Sequence, residues 1–205
     1  MINCDEYRKN NVPTAQSNHR PNISEKERGK IIMSVLLKHG YTKEQVIGMC
    51  ACIYGESSWN PLAINNKNVE GDDCKGYARN GTGAGGICQW LPGCNERGRQ
   101  KDGVVFINSK YSKNYSINVW DKKKNIWINN FGDVPLEYQV EFLVHELNGT
   151  ESNANKHIKA SKDAETACIE MVRKFERPGD SVSNSHYTRY LSFIRKLFDE
   201  LFPNS

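Results

Sequence analysis

The segment from Thr42 to Glu56 constrains the fold of this chain most, because its pattern admits one buried helix with defined ends. Thr42 and Gln45 have the spacing of a capping box, in which each side chain bonds the other residue's backbone amide. Apolar residues then recur at helical spacing, at Val46, Ile47, Met49, Cys50 and Ile53. Asn60-Pro61 ends the segment, since a residue before proline is pushed out of the helical region. We therefore predict a helix over residues 42–56.

Glu56 lies in the last turn of this helix and shares its buried face with Met49 and Ile53, which precede it by seven and three residues. Loss of hydration and the negative end of the helix dipole both raise the pKa of a carboxyl group placed there. The C-terminal end of a helix favours Lys, Arg or His, because their positive charge complements the helix dipole. A glutamate there departs from this preference, and such departures are typical of functional sites. The alternative is an exposed glutamate without a special role. A carboxylic acid that stays protonated near neutral pH can donate a proton in glycoside cleavage.

A second distinctive segment is the glycine-rich run at residues 81–86, which we predict to be a turn that enters a short strand, residues 87–90. It lacks the Lys-Ser/Thr pair of a phosphate-binding loop, which argues against nucleotide binding. The missing side chain of Gly86 lets a ligand approach the backbone closely. Gln89 offers a donor and an acceptor, which suits an N-acetyl group or sugar hydroxyls. Trp90 can stack on a sugar or fill the core.

Three motifs together resemble those of a known superfamily. They are Glu-Ser-x-x-Asn-Pro at residues 56–61, Gly-Ile-x-Gln-Trp at residues 86–90 and an aromatic-Glu-Arg-Pro sequence at residues 175–178. The combination resembles the lysozyme superfamily, which includes goose-type lysozymes and lytic transglycosylases, and within it the phage tail lysozyme family. The resemblance covers roughly residues 24–200. It implies a mostly helical, lysozyme-like α+β fold, with a helical bundle and a small β-sheet beside the active-site cleft.

The resemblance also implies a site and a substrate. Glu56 is the expected general acid, and Gln89 is expected to line a saccharide cleft, with Ser57, Gly86 and Trp90 as further candidates for substrate binding. The expected activity is that of a muramidase or lytic transglycosylase that cleaves the MurNAc–GlcNAc bond in bacterial peptidoglycan glycan strands. Neither route requires a metal ion or an organic cofactor, so we expect none.

A lysozyme that uses water needs a second carboxylate as a nucleophile or base. In animal lysozymes an aspartate stands two positions before the Gly-Ile-x-Gln strand, where this chain has Ala84. The missing carboxylate resembles the lytic transglycosylases, in which the sugar's own 6-hydroxyl closes an anhydro ring. The candidates for a second carboxylate are Asp72 and Asp73, in a turn-like sequence, and Glu176, which can alternatively form a structural ion pair with Arg177.

Charge and hydropathy restrict the partners. The formal net charge is +4, and no dense basic patch of the kind found in nucleic-acid-binding proteins stands out. No apolar run approaches the length of a membrane span, and the N-terminal residues lack the apolar core of a signal peptide. These features leave open a protein carried in a particle, and the resemblance to the phage tail lysozyme family implies a phage virion protein of the tail, which acts on the host cell wall. The alternatives are an inactive virion protein that binds the wall, an endolysin, or a wall hydrolase associated with conjugation.

The polar residues 1–23 are predicted to form an N-terminal arm that can contact other virion tail proteins, and residues 24–205 the lysozyme-like domain. Residues 101–130 are predicted to be an insertion. Within it we predict short strands at Val104–Ile107 and Ile126–Ile128, with Lys122–Lys124 between them as a solvated turn or a contact to an anionic wall polymer.

The remaining apolar patterns predict four more helices. Ser24 and Glu27 form a capping box that opens a helix, which Gly40 ends. Three further helical stripes are Leu136, Val140, Leu143, Val144 and Leu147; Ala164, Ala167, Cys168, Met171, Val172 and Phe175; and Tyr187, Tyr190, Leu191, Ile194, Leu197, Phe198 and Leu201. The seven cysteines show no zinc-binding spacing, and Cys88 can pair with Cys94 only in an oxidising exterior.

Overall fold

The structure, a computed structural model, describes residues 23–64, 83–92, 98–121, 123–124, 126–178 and 182–204. Within these residues the chain is mostly helical, with one small antiparallel sheet, which confirms the predicted α+β class. The predictions for the N-terminal arm, for Asp72 and Asp73, for Cys94 and for Lys122 lie outside the described residues. No helix in the described ranges combines the length and the apolar character of a membrane span.

The described elements follow the chain in this order: α1 (Glu25–Lys38), α2 (Lys43–Ser57), α3 (Arg99–Tyr111), β1 (Val119–Asp121), β2 (Ile126–Ile128), a 3-10 turn (Phe131–Asp133), α4 (Leu136–Asn148), α5 (Ser152–Ala160), α6 (Ala164–Met171), a π turn (Val172–Glu176), α7 (Ser185–Thr188) and α8 (Leu191–Leu201). They belong to two compact units. The first, here called the helical unit, consists of Ile23–Trp59 and Leu136–Ser205. The second, here called the hairpin unit, contains Asn60–Pro135.

The first two helices of the helical unit begin as predicted. In both capping boxes each side chain bonds the backbone amide of the other residue, Ser24 with Glu27 and Thr42 with Gln45. Gly40 follows α1 with a φ of +79°, a conformation that glycine adopts without steric cost. The caps fix the first residue of α2 and therefore the rotational position of every later residue on that helix, including Glu56.

Helix α2 is the centre of the helical unit. All five of its predicted apolar residues are fully buried. At Gly48 a Cβ atom would lie 2.4 Å from the carbonyl oxygen of Ala164 and 2.7 Å from the Cβ of Ala167, so α2 and α6 pack with their backbones nearly in contact. Only a residue without a side chain fits this crossing, and the crossing holds α2 firmly in the core.

The three C-terminal stripes are helical, with two differences from the prediction. The third stripe spans two helices, α7 and α8, separated at Arg189 and Tyr190. Both residues keep dihedral angles in the right-handed helical region, so the apolar spacing runs across the break unchanged. The sequence interpretation also missed α5, whose short length leaves only Ala154, Asn155 and Ile158 buried.

In the hairpin unit the predicted strand Val104–Ile107 is wrong, because these residues lie within α3. Val104 and Ile107 are buried while Val105 is 62% exposed. The spacing of three between the buried residues is helical, and it overrides the β-propensity of the run. The predicted strand Ile126–Ile128 is confirmed as β2, and Val119 of β1 pairs with Ile128.

The turn of this hairpin is held by Asp121, whose carboxylate accepts hydrogen bonds from the amides of Lys123 and Lys124 at 3.0 and 3.2 Å. Both lysines are exposed, as a solvated turn requires. Their contact with an anionic wall polymer stays a prediction.

The predicted strand over residues 87–90 is also wrong. Gly85 and Trp90 pair with each other through two backbone hydrogen bonds of 3.0 and 2.9 Å, and residues 86–89 form a tight turn between them. Gly86 and Gln89 both have positive φ, at +75° and +49°, which closes the turn and is incompatible with an extended strand.

Candidate active site

Glu56 lies where the sequence predicts, in the last turn of α2. Met49 and Ile53, on the same face, are fully buried, and the side chain of Glu56 itself keeps only partial exposure. The residue after the helix, Ser58, has left-handed backbone angles and donates its amide hydrogen to the carbonyl of Tyr54 at 2.8 Å. The chain therefore turns away from the helix axis within two residues of Glu56.

Burial raises the pKa of the Glu56 carboxyl group, because the surrounding side chains remove water from the charged form. The hydrogen bond from Tyr187 acts in the opposite direction, since it stabilises the carboxylate, and the loss of hydration is the larger effect. The net shift is upward, in the direction that the position at the end of an apolar helix predicts. A carboxyl group in this state can hold a proton at a pH where ordinary glutamates are ionised.

Tyr187 is the direct partner of Glu56. Its phenolic oxygen donates a hydrogen bond of 2.5 Å to Oε1 of Glu56, and the residue is only 3% exposed. Burial and the negative charge of Glu56 raise the pKa of the phenol far above its ordinary range, so the hydroxyl keeps its proton. The sequence analysis placed Tyr187 in a helical stripe as a core residue and missed this contact, because a stripe does not indicate which polar tip meets which partner.

Gly55 makes the contact possible. A Cβ atom at this position would lie 2.4 Å from Cδ1 and 2.9 Å from Cε1 of Tyr187, so the ring packs directly on the helix backbone beside Glu56. A glycine inside a helix costs about 1 kcal/mol relative to alanine. A glycine directly before Glu56, inside a helix, is therefore a sequence signal of a close neighbour that the sequence analysis did not use.

The chain beyond Glu56 is anchored by Trp59. Ser58 and Trp59 both have positive φ, at 53° and 58°, which is unusual for a bulky residue. The buried indole donates a hydrogen bond of 2.9 Å from its Nε1 to the carbonyl of Cys50, and its ring fills the space that a side chain at Gly29 would occupy. Such left-handed conformations are concentrated near functional sites, where the surrounding packing maintains them.

Glu176 is the candidate second carboxylate that the structure describes. It is the last residue of the π turn, an irregularity that often occurs at functional sites. Its negative charge contributes to the raised pKa of Tyr187, as the charge of Glu56 does, so both carboxyl groups act on one phenol. The bidentate partner of Arg177 is Glu151, at 2.8 and 3.0 Å, rather than the neighbouring Glu176.

The other three candidates for substrate binding make contacts within the protein. Ser57 is buried, and its hydroxyl donates to the carbonyl of Ile53 at 3.2 Å, so it belongs to the helix. The amide of Gly86 donates to the carbonyl of Ala63 at 2.9 Å. Trp90 is 1% exposed and packs edge-on against Phe131, with ring centroids 5.8 Å apart. The structure therefore supports the prediction that Trp90 fills the core rather than stacks on a sugar.

Gln89 is the candidate in the hairpin unit that keeps partial exposure. Its side-chain nitrogen donates a hydrogen bond of 3.1 Å to the carbonyl of Gly86 across the turn. That bond orients the amide group, and its backbone φ of +49° is rare for a residue with a side chain. A residue with a side chain in this unfavourable backbone conformation is typical of a functional site.

A second glutamine, Gln100, holds this turn in place, and the sequence analysis missed it. It is fully buried, and its side-chain nitrogen donates to the carbonyls of Gly83 and Trp90 at 3.0 and 2.6 Å. Its side-chain oxygen accepts from the amide of Asn118 at 2.9 Å. The available signal was a polar residue on the face of α3 that also carries Val104.

Glu56 and Tyr187 belong to the helical unit and Gln89 to the hairpin unit. The expectation that Glu56 and Gln89 line opposite walls of one groove stays a prediction. Asp72 and Asp73, the other candidates for a second carboxylate, lie outside the described residues.

Comparison with known proteins bears on the same residues. The model of the phage tail lysozyme family matches residues 27–190, most of the chain, and the match contains all three sequence motifs. The chain therefore belongs to the phage tail lysozyme family, and membership implies a lysozyme-like function directed at peptidoglycan. The comparison with curated proteins and the comparison with solved structures found no match.

Proposed function

We propose that this member of the phage tail lysozyme family cleaves the MurNAc–GlcNAc bond of peptidoglycan, with Glu56 as the general acid. The observation that carries the proposal is the position of Glu56 in the last turn of α2, where Tyr187 bonds its carboxyl group and burial raises its pKa. A general acid works best when its pKa lies near the working pH, because it must be protonated and still release the proton. Burial raises the pKa of a carboxyl group from its ordinary value toward neutral pH.

In the proposed reaction the protonated carboxyl group of Glu56 transfers its proton to the glycosidic oxygen as the bond to the sugar breaks. Glu56 becomes a carboxylate in a poorly hydrated position. The phenol of Tyr187 already donates to Oε1 at 2.5 Å and stabilises that charge without further reorganisation. Because its pKa is raised, the phenol keeps its proton and remains a donor throughout.

The positively charged sugar is then captured by its own 6-hydroxyl or by water. The transglycosylase-like route is supported by Ala84, which stands where animal lysozymes have an aspartate. Hydrolysis requires a second carboxylate, for which Glu176 is the candidate in the described part of the chain. Mass spectrometry of the products separates the routes, since an anhydro product is lighter than the hydrolysed product by one water.

Asp72 and Asp73 provide a further test of the route. We expect Asp72→Asn and Asp73→Asn each to keep most of the lytic activity, as a route through the 6-hydroxyl requires. Loss of activity in either variant on the scale of a Glu56 substitution, with the fold retained, would replace this route with a two-carboxylate lysozyme mechanism.

We also propose that the chain acts from the phage tail, where it opens the host wall during infection. The family name supports this placement. Mass spectrometry of purified virions and labelling of tail tips with an antibody would test it. Detection only in late lysates, outside the particles, would favour an endolysin instead.

The proposed activity is tested by comparing Glu56→Gln with Glu137→Gln in the clearing of purified cell walls. Glutamine keeps the volume but cannot donate the proton, so Glu56→Gln should lose roughly 10²–10⁴-fold in rate. Glu137 is exposed on α4 and serves as the matched control, which should retain the parental rate. A folded Glu56→Gln protein that clears walls at the parental rate would overturn the assignment. No clearing by the parent would favour a wall-binding protein.

A further inference from the structure

The helical unit contains a pocket of about 500 Å³ that does not include Glu56. Its lining combines cationic, apolar and hydroxyl groups, at Val172, Arg173, Arg177, Pro178, Val182 and Ser183. The volume is within the range of small-molecule sites, about 300–1,000 Å³. A pocket of this size admits a short segment of a polymer rather than a whole sugar chain.

The walls of the pocket are continuous with the segments that carry Glu176 and Tyr187, the partner of Glu56. One wall is the π turn, which ends at Glu176. Another contains Asn184, which directly precedes α7, and α7 carries Tyr187. The pocket therefore lies along the two segments that carry Glu176 and Tyr187, of which Tyr187 bonds the candidate general acid.

The two arginines of the pocket differ in their hydrogen bonds and ion pairs. Arg177 donates two hydrogen bonds to Glu151 and a third to the carbonyl of Lys174, which fixes its guanidinium group and neutralises its charge. Arg173 is exposed and forms no ion pair with any carboxylate in the described ranges. Among the described residues, the pocket therefore presents to a ligand one guanidinium group that no carboxylate pairs with, that of Arg173, beside the apolar side chains of Val172 and Val182.

We propose that this pocket binds a carboxylate of the peptide stem that peptidoglycan carries on its muramic acid. A guanidinium group matches a carboxylate in charge and in planar geometry. The apolar walls suit the methyl groups of the alanine residues that lie next to such carboxylates. The inference rests on the proposed function, because it concerns the same substrate. An anionic phosphate polymer of the wall shares the charge but has no equivalent of the alanine methyl groups.

The experiment measures binding rather than cleavage. Full-length Glu56→Gln protein is sedimented with cell-wall sacculi, with and without the additional substitution Arg173→Gln. Loss of a charge-assisted hydrogen bond at an exposed site should weaken binding to intact sacculi about fivefold. Lys174→Gln is the matched control, because Lys174 is the adjacent residue, carries the same charge and does not line the pocket. It should leave binding unchanged.

Two modified wall preparations identify the ligand. On glycan strands stripped of peptide stems by an amidase, the protein with Arg173 and the Arg173→Gln protein should bind equally. On sacculi from which phosphate polymers have been removed, the fivefold difference should persist. A second pocket variant, Val182→Asp, introduces a negative charge on an exposed wall residue and should weaken binding to intact sacculi in the same way.

Four results would overturn the proposal: equal binding of Arg173→Gln and its parent on intact sacculi, an equal loss in Lys174→Gln, a difference that persists on strands without peptide stems, or a difference that disappears when phosphate polymers are removed. Thermal melting of each variant verifies the fold. The assay also separates the two proposals, since an Arg173-dependent and peptide-dependent difference stands even where the parent chain fails to cleave the wall.

Discussion

Glu56 and Gln89, the two main candidates, are held by different kinds of structure. Glu56 belongs to a long helix whose caps, apolar face and close crossing with α6 fix its position. Gln89 belongs to a four-residue turn that is closed by one backbone pair and by hydrogen bonds from the side chain of Gln100. In a helix the buried apolar residues recur every three or four positions, so many residues of the sequence indicate the same helix. The turn depends on single side chains that bond the backbone.

The two sites are therefore sensitive to different kinds of substitution. The position of Glu56 rests on packing and on one specific neighbour, Tyr187, which requires the empty position at Gly55. The position of Gln89 rests on the side chain of Gln100, which bonds the carbonyls of Gly83 and Trp90 and the amide of Asn118, and the loss of such buried hydrogen bonds costs free energy. Substitutions that remove packing should therefore affect the first site, and substitutions that remove a buried amide the second.

The largest expected effect on stability is that of Gln100→Leu. Leucine keeps the approximate volume but removes three hydrogen bonds. The carbonyls of Gly83 and Trp90 keep one donor each, the side chain of Asn118 and the amide of Gly85, while the buried amide of Asn118 loses the acceptor that Gln100 provides. The substitution should cost about 3 kcal/mol in the free energy of unfolding. Gln89→Leu is the matched control, because it loses a single bond at a partly exposed position and should cost under about 1 kcal/mol. Urea unfolding measures both. Equal costs would mean that Gln100 does not hold the turn.

Gly55→Ala tests the packing of the helical site. The added Cβ would lie 2.4 Å from the ring of Tyr187, so the ring must move and its hydrogen bond to Glu56 must weaken. Overpacking of this kind costs typically 1–3 kcal/mol, of which the better helix propensity of alanine returns about 1. We expect a net loss of about 1 kcal/mol in urea unfolding and a larger proportional loss of wall clearing. Unchanged clearing in this variant would contradict the packing argument.

Tyr187→Phe removes the hydroxyl and keeps the ring. The rate of wall clearing should fall about tenfold, since one hydrogen bond to a developing charge is worth roughly 1.5 kcal/mol. The hydrogen bond lowers the pKa of Glu56, so its removal raises that pKa further. The acid form is the active one. The decline of activity at high pH should therefore move to higher pH in Tyr187→Phe, and a move to lower pH would exclude Tyr187 as the partner of the acid.

The smallest expected effect is a gain of stability in Glu56→Gln. A carboxyl group whose pKa is raised by folding binds its proton more tightly in the folded state, so stability falls as the pH rises from the unfolded to the folded pKa. Glutamine carries no such penalty. The variant should melt a few degrees above the parent at neutral pH and at the same temperature below about pH 4, where the carboxyl group is protonated in both states. A neutral-pH melting temperature below that of the parent would indicate that Glu56 is not buried at a cost.

The helical part of this molecule was largely predictable, and the reasons are physical. The capping residues Ser24 and Thr42 and the apolar stripes specify helix starts and buried faces directly. One error occurs where two rules conflict. Val104–Ile107 has the composition of a strand but the spacing of a helix, and the spacing prevails because it decides which side chains are buried.

The site was predictable only in part. The position of Glu56 on α2 follows from periodicity, and so does the direction of its pKa shift. Its partner Tyr187 lies 131 residues further along the chain, and no local pattern links the two. The same holds for Gln100, since a buried amide with three backbone partners from distant segments has no periodic signature. Long-range polar contacts of this kind require the folded structure.

The most direct test of the central claim is a titration of Glu56 itself, followed through the carboxyl carbon in an NMR experiment, with Glu56→Gln to assign the signal. If Glu56 is the buried general acid, its midpoint lies clearly above the ordinary value for glutamate, about 4.3, and lies still higher in Tyr187→Phe. A midpoint at or below the ordinary value would exclude Glu56 as the general acid, because an ionised Glu56 cannot donate the proton that glycoside cleavage requires.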